Sequence, residues 1–176
     1  SNAGLLEKLL FNCPAASNST ATNELISFTR GLNAYLEEDS LATAVRMSVL
    51  GDTYHSEMVM VGAPNAPWSS DVNKFGKSEA YFRYSKNYST FISNNASRRT
   101  QIYVGANDGM LHAIDAGTGQ ERFAFIPSQL ISNLKILSDD EYVHTYYVDG
   151  QITIRTFSNQ SILAGALGGG GMGLFA

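Results

Sequence analysis

The amino-acid sequence predicts a mainly β fold that is assembled from repeated hairpin units and preceded by short helices. Short runs rich in Val, Ile, Tyr and Phe recur after residue 45, and turn residues separate them. A hairpin with an Asp-Gly turn is followed by a second unit of strand, glycine-rich turn and strand. Repetition of this kind indicates a propeller or another repeat array.

Composition limits the classes of protein to which the chain can belong. Its 176 residues suit one domain or a piece of one, and 44% are hydrophobic while 16% are charged. These proportions exclude a disordered tail and a coiled coil. The net charge of −4 argues against general binding to nucleic acid or to an anionic membrane. The single cysteine, Cys13, excludes a disulfide framework within the chain but leaves open a partner outside it.

The N-terminal part is predicted to be a helical lead-in. Residues 1–3 are typical of the remnant of a cleaved affinity tag and are set aside. Residues 4–11 form an amphipathic pattern that predicts a short helix. A second helix is predicted from about 23 to 36, with Thr22 or Asn23 as its cap. The predicted organisation is therefore a tag remnant (1–3), a helical segment (4–44) and a β domain (45–176).

The β domain is predicted to contain seven strand-like runs and one helix. In chain order, the runs are residues 45–50, 57–62, 101–105, 110–115, 121–126, 151–157 and 160–167. The helix spans about 127–137, because Pro127 suits a first turn and apolar residues follow at helical spacing. The aromatic-rich stretch 81–91 suits either a half-buried strand or a binding surface, and the core interpretation is preferred.

The clearest local motif is the hairpin between Ile102 and Asp115. Two strand-like runs flank Asn107, Asp108 and Gly109, and an Asp-Gly pair supplies the positive φ angles of a tight hairpin turn. The sequence therefore predicts that consecutive strands of one four-stranded unit meet at this turn.

The segment that follows the hairpin carries a second turn motif. Its matching positions are Ala113, Asp115, Thr118, Gly119 and Phe123. Asp115 can accept hydrogen bonds from turn amides, Gly119 can adopt a left-handed conformation, and Phe123 can fill a gap between units. The pattern resembles the tryptophan-docking motif of quinoprotein-type β-propellers, with Phe123 in place of the tryptophan.

Longer blocks give a more specific resemblance. The strings FTRG (28–31), LGD with HS (50–56), VGAP (61–64), YVGANDGMLHAIDAGTGQE (103–121), YVHTYYVDG (142–150) and LAGALGGGGMG (163–173) occur in this order. Together they resemble the start of the C-terminal propeller of the PilC/PilY family of type IV pilus biogenesis factors and pilus-tip adhesins. Asp149 and Gly150 belong to this resemblance through the YYVDG block.

The resemblance implies a fold, a function and a location. The fold is a partial, open, quinoprotein-like β-propeller of two to three blades. The function is non-enzymatic and lies in pilus assembly, surface attachment and twitching motility at the cell surface, the periplasm–outer membrane boundary or the pilus tip. Pilins and surface or host receptors are the implied partners, without nucleic acid or a membrane span, and open blade edges favour self-association.

The resemblance also bears on cofactors. The family has an aspartate-rich calcium loop, and its nearest counterpart here begins at Asp71. Phe75 and Phe82 stand there at positions that need oxygen ligands. No cofactor and no metal are therefore expected in this part of the protein.

Some sequence motifs suit either a catalytic or a structural role. The glycines at 168, 170 and 173 spell a dinucleotide fingerprint but are better explained as a turn between strands. His112 with Asp115, or His144 with Asp149, could pair as in a catalytic site, although hydrogen bonds at strand ends explain histidines equally well. Two alternatives to the adhesin function remain, a fragment of a pyrroloquinoline quinone dehydrogenase and a carbohydrate-binding propeller.

Overall fold

The computed structural model describes residues 19–32, 45–139, 141–156 and 160–176. The predicted helix at 4–11, the tag remnant and Cys13 lie outside these ranges. Within them, no helix is long and apolar enough to cross a membrane.

Seven strands and several short helices make up the described chain. The helices are α1 (Ser19–Thr29), α2 (Val72–Phe75), α3 (Glu79–Ser85) and α4 (Tyr88–Asn94), with 3₁₀ helices at Ser128–Ser138 and Gly168–Gly170. The strands are β1 (Val59–Val61), β2 (Gln101–Gly105), β3 (Leu111–Asp115), β4 (Glu121–Phe125), β5 (Ile152–Thr156), β6 (Ser161–Ala166) and β7 (Leu174–Phe175).

The first sheet is four-stranded and antiparallel, in the order β1-β2-β3-β4. Strands β2 and β3 pair over their full length, from Gln101 opposite Asp115 to Gly105 opposite Leu111. The register of β3 and β4 shifts between Ala113 and Ile114. The prediction that both turn motifs connect consecutive strands of one four-stranded unit is confirmed.

The second sheet has three antiparallel strands, in the order β5-β6-β7. The glycine-rich segment between β6 and β7 forms the short 3₁₀ helix Gly168–Gly170, and not the start of a nucleotide-binding helix. The chain therefore contains two open antiparallel sheets with few, short helices, as expected for a mainly β, partial propeller.

The main apolar core lies between the two sheets. Leu111 of the first sheet packs with Tyr147, Val148 and Ile152 from around the start of the second. Leu130 of the long 3₁₀ helix belongs to the same cluster and is 2% exposed. Burial of these side chains stabilises the seam between the sheets by about 1.5–3 kcal/mol for each large residue.

Several predicted elements differ in the structure. Residues 45–50 form no strand, although Val45 makes an isolated bridge with Leu32, and most of their side chains are exposed. Helix α1 begins at Ser19, so Thr22 and Asn23 lie inside it. It ends at Thr29, and Gly31 follows with φ +92°. A left-handed residue at this position is a common way to end a helix.

The helical and aromatic segments also need correction. The segment predicted as a helix at 127–137 is a 3₁₀ helix from Ser128 to Ser138. The aromatic stretch 81–91 is not a strand, because it spans α3 and the first half of α4. Tyr88 is fully buried there, whereas Phe82 is 49% exposed, so the stretch contributes to both core and surface.

Candidate functional site

A polar junction joins the two sheets at one end of the apolar core. It comprises the turn 107–109 of the first sheet, the loop 51–56 that precedes β1, and the segment 147–150 that precedes β5. Each of the three histidines has a carboxylate partner in this junction. Asp149 pairs with His55, Asp108 with His112, and Asp52 with His144.

The turn itself is held by a small set of local hydrogen bonds. The Ala106 N–H donates to the Met110 carbonyl at 3.0 Å, and the Gly109 N–H donates to the Ala106 carbonyl at 3.3 Å. Gly109 has φ +90°, but Asp108 does not have a positive φ. The prediction of positive φ at both turn residues is therefore wrong. The chain uses a longer turn, in which one left-handed glycine suffices.

Asn107 links three segments of the junction. Its side-chain amide donates to Asp52 Oδ2 at 2.8 Å, and its Oδ1 accepts the Tyr147 N–H at 3.0 Å. Its own N–H donates to the Asp52 carbonyl at 2.9 Å. Because Asn107 is 3% exposed, these bonds replace water for a buried amide. The hydrogen bond from Asn107 is the largest cause that holds the pKa of Asp52 below its usual value.

Asp108 and His112 form a buried charged pair next to the turn. His112 Nε2 lies 3.0 Å from Asp108 Oδ2, and His112 Nδ1 lies 2.7 Å from Glu121 Oε2. Asp108 also accepts the Gly51 N–H at 2.9 Å. Both ring nitrogens of His112 face carboxylate oxygens, and only the doubly protonated ring can donate to both. Burial lowers the pKa of His112, but the bonds and charges of the two carboxylates outweigh it, so the pKa is raised.

This arrangement predicts a pH-dependent stability. Because the folded pKa of His112 is raised, its contribution is complete below the unfolded value of about 6.5 and is lost as pH rises through the folded pKa. Urea unfolding from about pH 6 to about pH 9 should show the free energy of unfolding falling with pH. His112→Gln should flatten this slope. An unchanged slope in His112→Gln would contradict the prediction.

Asp149 connects the second sheet to the loop before β1. It is 1% exposed and accepts the His55 N–H at 2.8 Å, while its other oxygen contacts His55 Nδ1. Gly150 follows in close backbone packing, since a Cβ there would lie 2.4 Å from the Ala166 carbonyl oxygen. Asp149 therefore pairs with His55, and not with His144 as considered from the sequence.

The remaining histidine pairs also differ from the two considered from the sequence. His144 Nε2 contacts Asp52 Oδ1 at 3.1 Å, and His112 contacts Asp108 in place of Asp115. Each of these contacts brings together side chains at the ends of strands or in the loops between them. Within the ranges that the structure describes, no group of three or more His, Cys, Asp or Glu residues is arranged to hold a metal ion.

The second turn motif is organised around Asp115. Its Oδ1 accepts the N–H groups of Gly117 at 3.0 Å and Thr118 at 3.1 Å. Gly119 has φ +72° and donates its N–H to the Asp115 carbonyl at 2.8 Å. The bond from Gly117 is the largest cause that holds the pKa of Asp115 below its usual value, with Arg122 adding a smaller effect.

The other two residues of this motif face each other across β3 and β4. Ala113 is fully buried opposite Phe123. Phe123 is 46% exposed, and its ring meets Tyr103 edge to face with centroids 6.3 Å apart. The described contact lies within one sheet, so the filling of a gap between blades by Phe123 stays a prediction.

An exposed aromatic patch lies over the junction. It consists of Tyr54, His55, His144 and Tyr146, which make ring contacts with one another. The centroids of Tyr54 and Tyr146 are 6.2 Å apart with near-parallel planes. Tyr54 is 69% exposed, while the buried Asp149 fixes the His55 backbone beneath the patch. Exposed aromatic rings above a fixed loop are suited to binding another molecule.

Sequence reasoning missed the loop side of this site. The sequence places Asp52, His55 and Ser56 in one family block without indicating their contacts, and Ser56 Oγ accepts the Gly105 N–H at 2.8 Å. Their partners lie between 49 and 94 residues away in the chain. One feature of the sequence could have indicated these contacts. The strings LGD (50–52) and HS (55–56) stand in an irregular segment shortly before β1, and polar side chains in such loops often bond to backbone groups of turns.

With the geometry established, similarity to known proteins identifies the family. Residues 50–176 match the family model described as the PilY1 beta-propeller domain. A type IV pilus biogenesis factor PilY1 homolog of Xylella fastidiosa is 37% identical over 163 residues, which cover 90% of this chain and 13% of that protein. The type IV pilus biogenesis factor PilY1 of Pseudomonas aeruginosa strain PAK is 35% identical over 171 residues, covering 89% of this chain and 13% of that protein.

One solved structure was also similar. The crystal structure of the Pseudomonas aeruginosa PilY1 C-terminal domain is 32% identical, with a TM-score of 0.40, and the match covers 66% of this chain and 21% of that one. The chain thus spans a small part of the length of the curated relatives it matches. On the match of residues 50–176 and the identity to these relatives, the chain belongs to the PilY1 beta-propeller family.

Proposed function

We propose that this chain is a protein-binding, non-enzymatic part of a propeller that acts in type IV pilus biogenesis, surface attachment and twitching motility. The observation that carries the proposal is the family match over residues 50–176, because fold alone does not define function. The printed function of the relatives, type IV pilus biogenesis, supports the same conclusion. The proposed location is the cell surface, between the outer membrane and the pilus tip.

The proposed mechanism is binding through loops that a rigid β scaffold supports. The aromatic patch is the proposed contact surface, since its rings are exposed while buried hydrogen bonds fix the backbone below them. Pilins and surface receptors are the proposed partners. Each described histidine is paired with a carboxylate that also holds a turn, a loop or a strand end, which gives these pairs a structural role in supporting the proposed contact surface.

Self-association through sheet edges is a second part of the proposal. In the described part of the chain, β1 pairs with β2 and β4 pairs with β3, so each leaves one edge open. An open edge presents unpaired N–H and carbonyl groups that pair readily with another strand. In a longer chain, further strands of the propeller would compete for the same edges.

A segment exchange tests the proposed function. The part of Pseudomonas aeruginosa PilY1 that aligns with this chain is replaced by residues 50–176 in a strain that lacks its own copy. We expect surface pili and twitching zones to return, because the exchanged segment keeps the junction and the aromatic patch intact. Sheared surface pilin and twitching diameter are the measurements.

A second exchange carries Tyr54→Ala as a probe of the aromatic patch. Tyr54 is 69% exposed, so its loss should leave the exchanged protein at the same level in the cell envelope while lowering twitching. Exposed Val143→Ala serves as the matched control, since its side chain is 77% exposed and makes no ring contact in the patch. The overturning result concerns the exchange without substitutions. If that protein is present at the normal level and the cells still carry no surface pili, the proposed function is wrong.

A further inference from the structure

We propose that a cleft between the two sheets binds a carboxylate group, a role that goes beyond the proposed pilus function. The cleft has a volume of about 350 Å³ and lies between β1 and β2 of the first sheet and β5 and β6 of the second. Helix α4 contributes Phe91 to its wall. The lining residues include two arginines and, among those described, no carboxylate.

Arg98 is fixed in this cleft by neutral acceptors. Its Nε donates to the Gly62 carbonyl at 2.8 Å, and its Nη2 donates to the same oxygen. Its Nη1 donates to Ser161 Oγ at 3.2 Å, which connects the first sheet to the second. A guanidinium carries five N–H groups, so two donors remain after these three bonds. A side chain held in this way is preorganised for a further acceptor.

The charge of Arg98 is not balanced within the described chain. No Asp or Glu oxygen there lies within ion-pair distance of its guanidinium, whereas Arg83 and Arg122 both have such partners. The half-buried position of Arg98 makes an unbalanced charge more costly than at an open surface. A carboxylate in the cleft would supply the missing charge and accept the two remaining N–H groups.

Arg99 supplies a second positive charge at the mouth of the cleft. Its side chain is 71% exposed, and its nearest carboxylate oxygen, on Asp115, lies 3.7 Å away. That carboxylate is already held by Arg122 at 3.4 Å and by two turn amides. Arg99 can therefore turn towards a bound anion without leaving Asp115 unpaired.

The remaining walls favour an organic carboxylate. Gln101 Oε1 accepts the Tyr103 hydroxyl at 2.7 Å, so its amide N–H groups stay available as donors. Phe91, Ile154 and Leu163 give the cleft an apolar side. A nucleic acid needs a long basic surface, which a chain with net charge −4 does not offer. The chemistry therefore fits a carboxylate on an aromatic or apolar carrier, either a free acid or an acidic side chain of a peptide.

Titration followed by amide chemical shifts tests the site in the intact chain. The probes are N-acetylphenylalanine and its carboxamide, and a blocked aspartyl-phenylalanine dipeptide with its asparaginyl counterpart. We expect saturable shifts at Arg98, Gln101 and Ser161 with a Kd on the order of 1 mM for an acid and none for its amide. Binding of any of these acids supports the site, and binding of the free acid alone or of the dipeptide alone identifies the source of the carboxylate. Equal shifts from acid and amide would overturn it.

Matched arginine variants separate a site from general charge attraction. Arg99→Gln should weaken binding about tenfold, because it removes a charge-assisted hydrogen bond at an exposed position that the fold does not need. Arg155→Gln removes the same charge from an exposed position on β5 that does not line the cleft, and it should leave Kd unchanged. Arg98→Gln should abolish binding if it folds, and Arg99→Gln keeps the test decisive if it does not. Equal effects of Arg99→Gln and Arg155→Gln would refute the proposal.

Discussion

Replacing Gly105 with alanine is expected to lower the free energy of unfolding by about 3 kcal/mol, the upper end of the usual cost of overpacking. A Cβ at this position would lie 2.3 Å from the Val148 carbonyl oxygen and 2.7 Å from Val148 Cγ1. The nearest atom belongs to the backbone of the segment 147–150, which leads into the second sheet, so a side-chain rotation cannot relieve the clash. Strand β2 and this segment must move apart locally, which loosens the packing around the buried Val148.

A chemically identical change elsewhere provides the control for Gly105. At Gly117 an added Cβ would be 3.4 Å from its nearest atom, and this glycine has no positive φ. Gly117→Ala should therefore stay within about 1 kcal/mol of the parent protein, with a small gain from the restricted unfolded chain. Urea denaturation of both variants makes the comparison. Equal stability of the two variants would show that the sheets do not pack as described.

Replacing Asn107 with leucine is expected to have the second large effect. The substitution leaves the buried Tyr147 N–H without its acceptor, which costs about 1–3 kcal/mol, and it also removes the bond to Asp52. The leucine side chain cannot form either bond, so the loop and the second sheet lose their shared link to the turn. Thermal unfolding should show a lower Tm, and amide exchange should rise most at Tyr147.

Asn107→Asp distinguishes the two bonds of the same side chain. Its Oδ1 can still accept the Tyr147 N–H, but the second oxygen replaces a donor 2.8 Å from Asp52 Oδ2. Two close carboxylates raise the pKa of one of them. The destabilisation should be complete above that raised pKa. It should shrink as pH falls through the raised pKa towards the unfolded value of about 4, because one proton on the folded pair removes the repulsion.

The control for Asn107→Asp is the same change at exposed Asn73 in helix α2. That variant alters the net charge equally but introduces no neighbouring buried carboxylate. Its stability should follow the parent protein across the pH range. A pH-independent loss in Asn107→Asp would show that Asp52 and Asn107 are not in contact.

The local turns of this protein could be predicted from the sequence because their chemistry lies within a few residues. Asp115, Thr118 and Gly119 form a turn whose bonds join residues two to four positions apart, and Gly109 adopts the left-handed conformation that glycine favours. Strands β2 to β6 were predicted at nearly their observed bounds, since runs rich in β-branched residues stood between these turns.

The junction could not be predicted in the same way. His55 and Asp149 are 94 residues apart, and no periodic pattern links them. The segment 45–50 looked like a strand from its composition, but its side chains find no partner strand and most stay exposed. At 81–91 the error is reversed. The aromatic content there favours a strand, but the segment is helical, and the first of its two helices is capped by Ser78. Tertiary context decides such segments more than intrinsic propensity does.

The long separation along the chain between the hydrogen-bonded partners at the junction also affects the order in which the protein folds. During synthesis the loop at 51–56 emerges well before Asn107, Tyr147 and Asp149, so its polar groups bond to water until those residues arrive. Contacts of such long range require a large loop to close before they contribute, which slows folding. The first hairpin can form early from neighbouring residues, while the contacts that join the two sheets form later.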